Sequence, residues 1–233
     1  MITTPFDLIA IDLDGTLVDS VEDLHFAVTK MQQKMDRKIS TKTEVRNWVG
    51  SGIERLVHRA LTNSMDGDAI ATLFDMGMPL FEEAYAQCNG SYSGLFPGVV
   101  EGLQWLARLD TPMVVVTNKA RRFAEPLIKA LQIDGYIDCL VAGDDVAEKK
   151  PHPAALLEAA RRYMAVPAHS VLIGDSISDI KAARAARFTS ISVSYGYNHG
   201  VPINVGAGQL SSDAVIDSFD ELPKVFQRLA FSV

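Results

Sequence analysis

Asp12 and Asp14, followed by Gly15 and Thr16, close an apolar run from Phe6 to Ile11. Side chains two apart in an extended chain point the same way, so both carboxylates can face one crevice. Gly15 lets the chain turn sharply behind them. Two carboxylates at that spacing repel each other unless a proton or cation intervenes. A turn merely rich in Asp and Gly is the competing structural reading. A second acidic group follows another apolar run, in the segment Gly174-Asp175-Ser176-Ile177-Ser178-Asp179. Ser176 and Asp179 have the spacing of a helix capping box, which accounts for both of them but not for Asp175. Three acidic side chains and a phosphate oxygen make the hard oxygen set that magnesium takes. A cluster of Cys and His, which would suggest zinc, is missing from the sequence.

Two further segments offer phosphate contacts. The run Val114-Val115-Val116 ends in Thr117 and Asn118, a hydroxyl and an amide. Either can be a helix cap, which is the simpler reading for them alone. Lys149-Lys150-Pro151-His152-Pro153 is more informative. Pro151 biases Lys150 towards an extended conformation and so restricts where its ammonium points. Paired lysines more commonly lie on a solvated surface. His152 reads as a packing or capping residue without a catalytic role.

These residues need elements to position them. Short apolar runs at Phe6 to Ile11, Met113 to Val116, Cys139 to Ala142, Val171 to Ile173 and Ile191 to Val193 read as strands. They do not alternate with polar residues, as expected of a parallel sheet covered on both faces. Helical spacing separates the later runs: Val99, Leu103 and Leu106; Ala154 to Met164; Ile177 to Ala186. Pro126 interrupts the pattern from Phe123 to Leu131, predicting a helix that starts late or bends there. The alternation predicts an α/β fold, a doubly wound, mostly parallel sheet.

About 100 residues separate the first two strands, far more than one crossover helix requires. Between Ser20 and Tyr85 the apolar spacing is helical: Leu24, Val28 and Met31; Ile53, Leu56, Val57 and Ala60; Ile70, Leu73, Phe74 and Met78. The expected organisation is a catalytic core of residues 1–18 and 90–233, with an all-helical domain, residues 19–89, inserted after the first strand. Asn89 to Gly94 reads as the return linker.

The bulk numbers limit the function. A net charge of -7 argues against general affinity for nucleic acid or an anionic membrane. It also means that an anionic substrate needs a local positive centre, a metal ion or a placed Lys. Cys88 and Cys139 lack the spacing of a zinc or disulfide framework. Neither a signal-peptide pattern nor an apolar run of the ~18 residues needed to span a membrane is present, so a cytoplasmic protein is expected.

Asp12 to Thr16, Thr117, Lys150, and Asp175 with Asp179, in this order at strand ends, resemble the four motifs of the haloacid dehalogenase superfamily. The resemblance spans nearly the whole chain. Within the superfamily, the chain is similar to the bacterial phosphoglycolate phosphatases. The similarity rests on Asp12 to Ser20, Trp48 to Leu61, Thr117-Asn118-Lys119, Ala142 to Val146, Lys149 to Pro153 and Tyr195 to Gly200. The family usually places another Pro soon after the Lys-Pro-His-Pro run, where this chain has Ala154 and Ala155.

The resemblance implies a Rossmann-like core, a helical cap, and a magnesium-dependent phosphatase acting on a small phosphorylated metabolite, with 2-phosphoglycolate the expected substrate. Asp12 is then the nucleophile that forms an aspartyl phosphate, and Asp14 the acid and base. Magnesium binds Asp12, the Asp14 backbone carbonyl and Asp175, supported by Ser176 and Asp179. Thr117 and Lys150 hold phosphoryl oxygens, and Gly15, Thr16 and Asn118 add donors. From the cap, the loop Val49 to Gly52 selects substrate, with Gly52 and Arg55 as candidate contacts. An exposed helical arginine is an equal reading of Arg55, and loop packing is the favoured reading of Tyr195 and Tyr197. Another small-metabolite phosphatase, a phosphosugar mutase and a non-enzymatic binding protein are the alternatives. The oligomeric expectation is a monomer or homodimer.

Overall fold

The structure, a computed structural model, describes residues 4–203 and 211–230. Strand β1 (Leu8–Ile11) runs between β4 (Met113–Val116) and β6 (Ser170–Gly174), with Ile9 opposite Met113 on one side and Val171 on the other. With β5 (Cys139–Val141), β7 (Thr189–Val193) and β8 (Ala214–Ile216) they form a parallel sheet in the order β5-β4-β1-β6-β7-β8. From β1 the chain moves outward to β4 and β5, then crosses back to β6 on the other side. The strand order therefore reverses beside β1. Such a reversal opens a crevice at the carboxyl ends of the strands.

Alternation along β1 sorts its side chains between two cores. Ile9 and Ile11 join Val115, Val171, Ile173 and Ile191 beneath α5 (Val99–Leu106), α6 (Arg121–Ala130) and α9 (Leu222–Ala230). Leu8 and Ala10 join Val114, Val116 and Leu172 beneath α7 (Ala154–Tyr163) and α8 (Ile177–Ala186). Burial on both faces explains why the strands read as unbroken apolar runs. The helix α6 does not start late: it begins at Arg121 and runs through Pro126. Burial of Phe123, Ala124, Leu127 and Ile128 along one side offsets the hydrogen bond that Pro cannot make.

A two-stranded antiparallel ladder joins the insert to this core. In it β2 (Val18–Asp19) pairs with β3 (Gly94–Leu95). Between these strands lie α1 (Val21–Lys34), α2 (Lys42–Trp48), α3 (Ile53–Thr62) and α4 (Ala71–Cys88). They close around a third core that includes Val28, Met31, Trp48, Leu56, Phe81 and Tyr85. Helix α2, absent from the sequence expectation, starts at a capping box between Thr41 and Glu44. Ile70 does not share the apolar face expected of it. Helix α4 begins one residue later, leaving Ile70 at its N-cap and 71% exposed. No helix of the described residues is long and apolar enough to cross a membrane.

Asp23, fully buried on α1, ties the return segment down. Its carboxylate accepts from the backbone N–H groups of Gly90, Tyr92 and Ser93 and from the Ser93 hydroxyl. Replacing it with Ala strands those partly buried donors. Asp23→Ala should lower the unfolding free energy by about 3 kcal/mol, read from urea denaturation, with Asp23→Asn losing less. A loss below about 1 kcal/mol would show that the linker does not depend on this carboxylate.

Candidate active site

The four motif segments meet where the strand order reverses. Asp12 follows β1, Thr117 follows β4, Asp175 follows β6, and Lys150 arrives on the loop after β5. The backbone holds each in place: the Asp12 N–H donates to Ile173 O at 2.9 Å, and the Thr117 N–H to Val141 O at 3.1 Å. The Lys150–Pro151 peptide is cis.

Lys150 is the hub. Its ammonium donates to Asp12 Oδ1 at 2.8 Å, Asp179 Oδ1 at 2.7 Å and the Val116 carbonyl at 2.8 Å. Those three partners match its three N–H donors. Burial by itself would lower its pKa, but Asp12 and Asp179 more than offset this and hold it above the usual lysine value. Asp179 is fully engaged as well. Its other oxygen accepts from the Ser176 N–H at 3.1 Å and the Ser176 hydroxyl at 2.6 Å, closing the capping box that starts α8. Asp179 therefore positions Lys150 and the helix, as its spacing from Ser176 suggested.

Asp12, Asp175 and Asp179 offer carboxylate oxygens that all lie within 4.8 Å of one another. Burial pushes the Asp12 and Asp175 carboxyls well above the ordinary aspartate range, with neighbouring carboxylates adding to it. One ammonium among three buried carboxylates leaves a deficit of positive charge. The donor set is all oxygen, which favours a hard divalent cation over zinc. Asp175 has its own supports: Thr16 Oγ1 donates to Oδ1 at 3.3 Å and the Tyr197 N–H to Oδ2 at 2.7 Å. A Cβ at Gly15 or Gly196 would collide with this side chain. Gly15 also sits at φ +88°, where a side chain is strained.

Asp14 stands apart from that cluster. Its carboxylate accepts from Ser20 Oγ at 2.5 Å and from Lys119 Nζ at 2.9 Å through Oδ1 and 3.2 Å through Oδ2. Lys119, itself buried, also donates to the Tyr85 hydroxyl of α4. Burial raises the Tyr85 pKa far above the ordinary tyrosine value, so the hydroxyl stays neutral. Lys119 and Ser20 both lie in the motif segments but carried no expected role, and Tyr85 lies in none of them. One signal was present for Lys119: it lies two residues after Thr117, on the same side of an extended chain.

A cavity of about 420 Å³, including its mouth, lies between core and helical insert. Asp12, Asp14, Thr117, Asn118 and Lys119 line it from below; Leu24, Val49, Gly50, Gly52, Ile53 and Leu56 line it from above. The insert is drawn down over it. Asn118 Nδ2 donates to Gly50 O at 2.8 Å, and Lys149 pairs with Glu54 at 2.7 Å. Arg46 of α2 donates to the carbonyls of Tyr195 and Gly196 and stacks on the Tyr197 ring.

Several expected substrate contacts lie elsewhere. Arg55 points away from the cavity, bonding Gly67 O, Met65 O and the Asp68 carboxylate. The N–H groups of Gly15 and Thr16 are consumed within the turn, by Val18 O and Leu13 O, and Thr16 is fully buried. The Asn118 amide lines the cavity, but it bridges Gly50 O, Lys150 O and the Lys150 N–H. Gly52 does face the cavity. Tyr195 and Tyr197 serve packing: the Tyr195 hydroxyl donates to Thr16 O, and the Tyr197 hydroxyl accepts from the Ser20 and Val21 N–H groups. Tyr197 thereby caps α1, whose N-cap residue Ser20 makes no side-chain capping bond and donates its hydroxyl to Asp14.

The comparisons agree with this geometry. A family model for haloacid dehalogenase-like hydrolases matches residues 9–193. A phosphoglycolate phosphatase from Nitrosococcus oceani is 44% identical over 224 residues, which cover 96% of this chain and 98% of that protein. Another from Nitrosospira multiformis is 37% identical over 224 residues, covering 96% and 97%. The crystal structure of a predicted phosphoglycolate phosphatase from Haemophilus somnus matches with a TM-score of 0.88 at 30% identity, covering 95% of this chain and 98% of its own. Given the match over most of its length and the motif residues gathered at one crevice, the chain belongs to the haloacid dehalogenase-like hydrolase family, and within it to the phosphatases.

Proposed function

We propose that this phosphatase hydrolyses 2-phosphoglycolate to glycolate and phosphate through an aspartyl-phosphate intermediate, with magnesium as its cofactor. The observation that carries this reading is the asymmetry of Asp12. Lys150 fixes Oδ1, while no described group bonds Oδ2, and the residue lines the cavity that Asp14 shares. A carboxylate held at one oxygen and open at the other is oriented for attack.

Asp12 Oδ2 attacks phosphorus, and the bond from phosphorus to the ester oxygen breaks. The departing alkoxide takes its proton from Asp14. Asp14 then accepts a proton from water, whose oxygen attacks the same phosphorus; the acyl phosphate bond breaks and the Asp12 carboxylate is restored. Thr117 Oγ1 accepts from the Lys119 N–H at 3.2 Å, which leaves its hydroxyl hydrogen to donate to a phosphoryl oxygen. Asp12, Asp175 and the Asp14 backbone carbonyl would hold magnesium, whose charge offsets that of the phosphoryl group. The closed insert keeps bulk water out of the site.

The cavity is narrow and roofed by the insert, which favours a short substrate. The curated relatives named above are phosphoglycolate phosphatases over nearly their full length. Cys88 and Cys139 are both unpaired, which supports a reducing, cytoplasmic setting.

In a panel of metabolite phosphomonoesters, 2-phosphoglycolate should release phosphate with the highest kcat/KM, and only with magnesium present. A clear preference for a different ester would sink the substrate assignment. Asp12→Asn should lower turnover by about 10⁴-fold or more while the far-UV spectrum stays unchanged. Retained turnover in a clean preparation would exclude Asp12 as nucleophile. Magnesium at 100 times its Kd should raise the Tm by about 5–10 °C, and Asp175→Ala should lose most of that shift.

A further inference from the structure

The mechanism leaves one buried cation of the cavity without a task. Among the described residues lining it, Lys119 is the one positively charged side chain. Lys150 is not among them, and its three donors are already committed. The insert contributes apolar side chains and glycines, and Arg55 is bound to the 65–68 loop. A substrate with a second anionic group places that charge beside Asp12 and Asp14, in a chain of net charge -7. Without a cation, a buried carboxylate there would be strongly disfavoured.

We infer that Lys119 is the specificity-determining residue that binds the non-transferred anionic group of the substrate. The inference rests on the reading that this substrate is a small phosphomonoester carrying a carboxylate. Lys119 Nζ contacts both Asp14 oxygens unequally, at 2.9 and 3.2 Å. The longer contact can pass to a substrate carboxylate oxygen while the shorter one and the Tyr85 bond hold the ammonium in place. A neutral tail cannot make that exchange. On the opposite wall, Gly52 and Ile53 begin α3, whose helix dipole also favours an anion there. Tyr85 anchors Lys119 to α4, so the cation is presented to the cavity when the insert is closed.

The test compares 2-phosphoglycolate with ethyl phosphate, a phosphomonoester of the same carbon length without the carboxylate, in wild type, Lys119→Met and Lys119→Arg. Lys119→Met should lower kcat/KM for phosphoglycolate by about 100-fold more than for ethyl phosphate, with a rise in KM that the neutral ester does not share. Lys119→Arg should restore part of the preference. Equal losses on both esters would overturn the inference and leave Lys119 only a support for Asp14. A wild type that favours neither ester would overturn it as well. A wild type that prefers a different doubly anionic ester would remove the phosphoglycolate assignment alone. The inference would then stand if Lys119→Met abolished that preference and fall if it did not.

Discussion

A single ammonium buried among three carboxylates organises this protein. Lys150 sits where the ends of β1, β4 and α8 converge, touching Asp12, the Val116 carbonyl and Asp179 at once. Breaking one arm of such a buried arrangement leaves an uncompensated charge, which typically costs about 3–5 kcal/mol. The elements bearing those groups are therefore held in fixed relation to one another. Asp12 owes its orientation to the same contact. Asp179, bound at both oxygens, transmits the constraint into the first turn of α8 through its capping box.

The same cluster has the charge and donor set to hold a divalent cation. Burial disfavours the charged forms of Asp12 and Asp175, and Lys150 neutralises only part of the total. The side chain of Asp175 is walled by Gly15 and Gly196 and held by Thr16 and Tyr197, so its position is set before any ligand arrives. Rigid support of this kind is what makes a charged site usable, because little reorganisation is left for the reaction itself.

The helical insert is coupled to the core by a different set of contacts. Ser20, at the head of α1, donates to Asp14, and Tyr197 from the core caps that helix in its place. Lys119 joins Asp14 to Tyr85 on α4. Asp14 is thus bonded both to the first residue before the insert's helices and to a cation anchored in its last helix. Arg46, resting on the carbonyls that follow β7, and the Lys149–Glu54 pair act at the rim of the same closure. Rim pairs of this exposure contribute little stability. Closure rests mainly on the buried contacts.

Strand identity, parallel pairing, the helical insert and the core motif residues were legible in the sequence because each leaves a local trace. Buried parallel strands are unbroken apolar runs, and a capping box has a fixed three-residue spacing. The three-residue β8 and the short α2 carried too little apolar periodicity to be read. The roles of side chains reaching across the interface were not legible. Arg55 adjoins the Val49 to Gly52 loop in sequence, yet α3 turns it towards residues 65–68. Gly15 and Thr16 belong to the first motif, yet the turn consumes their N–H groups. Lys119 was visible as a residue, but its meeting with Asp14 and Tyr85 joins positions 105 and 34 apart along the chain. The sequence alone thus determined which residues stand at the strand ends, since residue type and local spacing suffice for that. Only the tertiary structure decided which cation faces the cavity, because that depends on how two separately packed bodies close on each other.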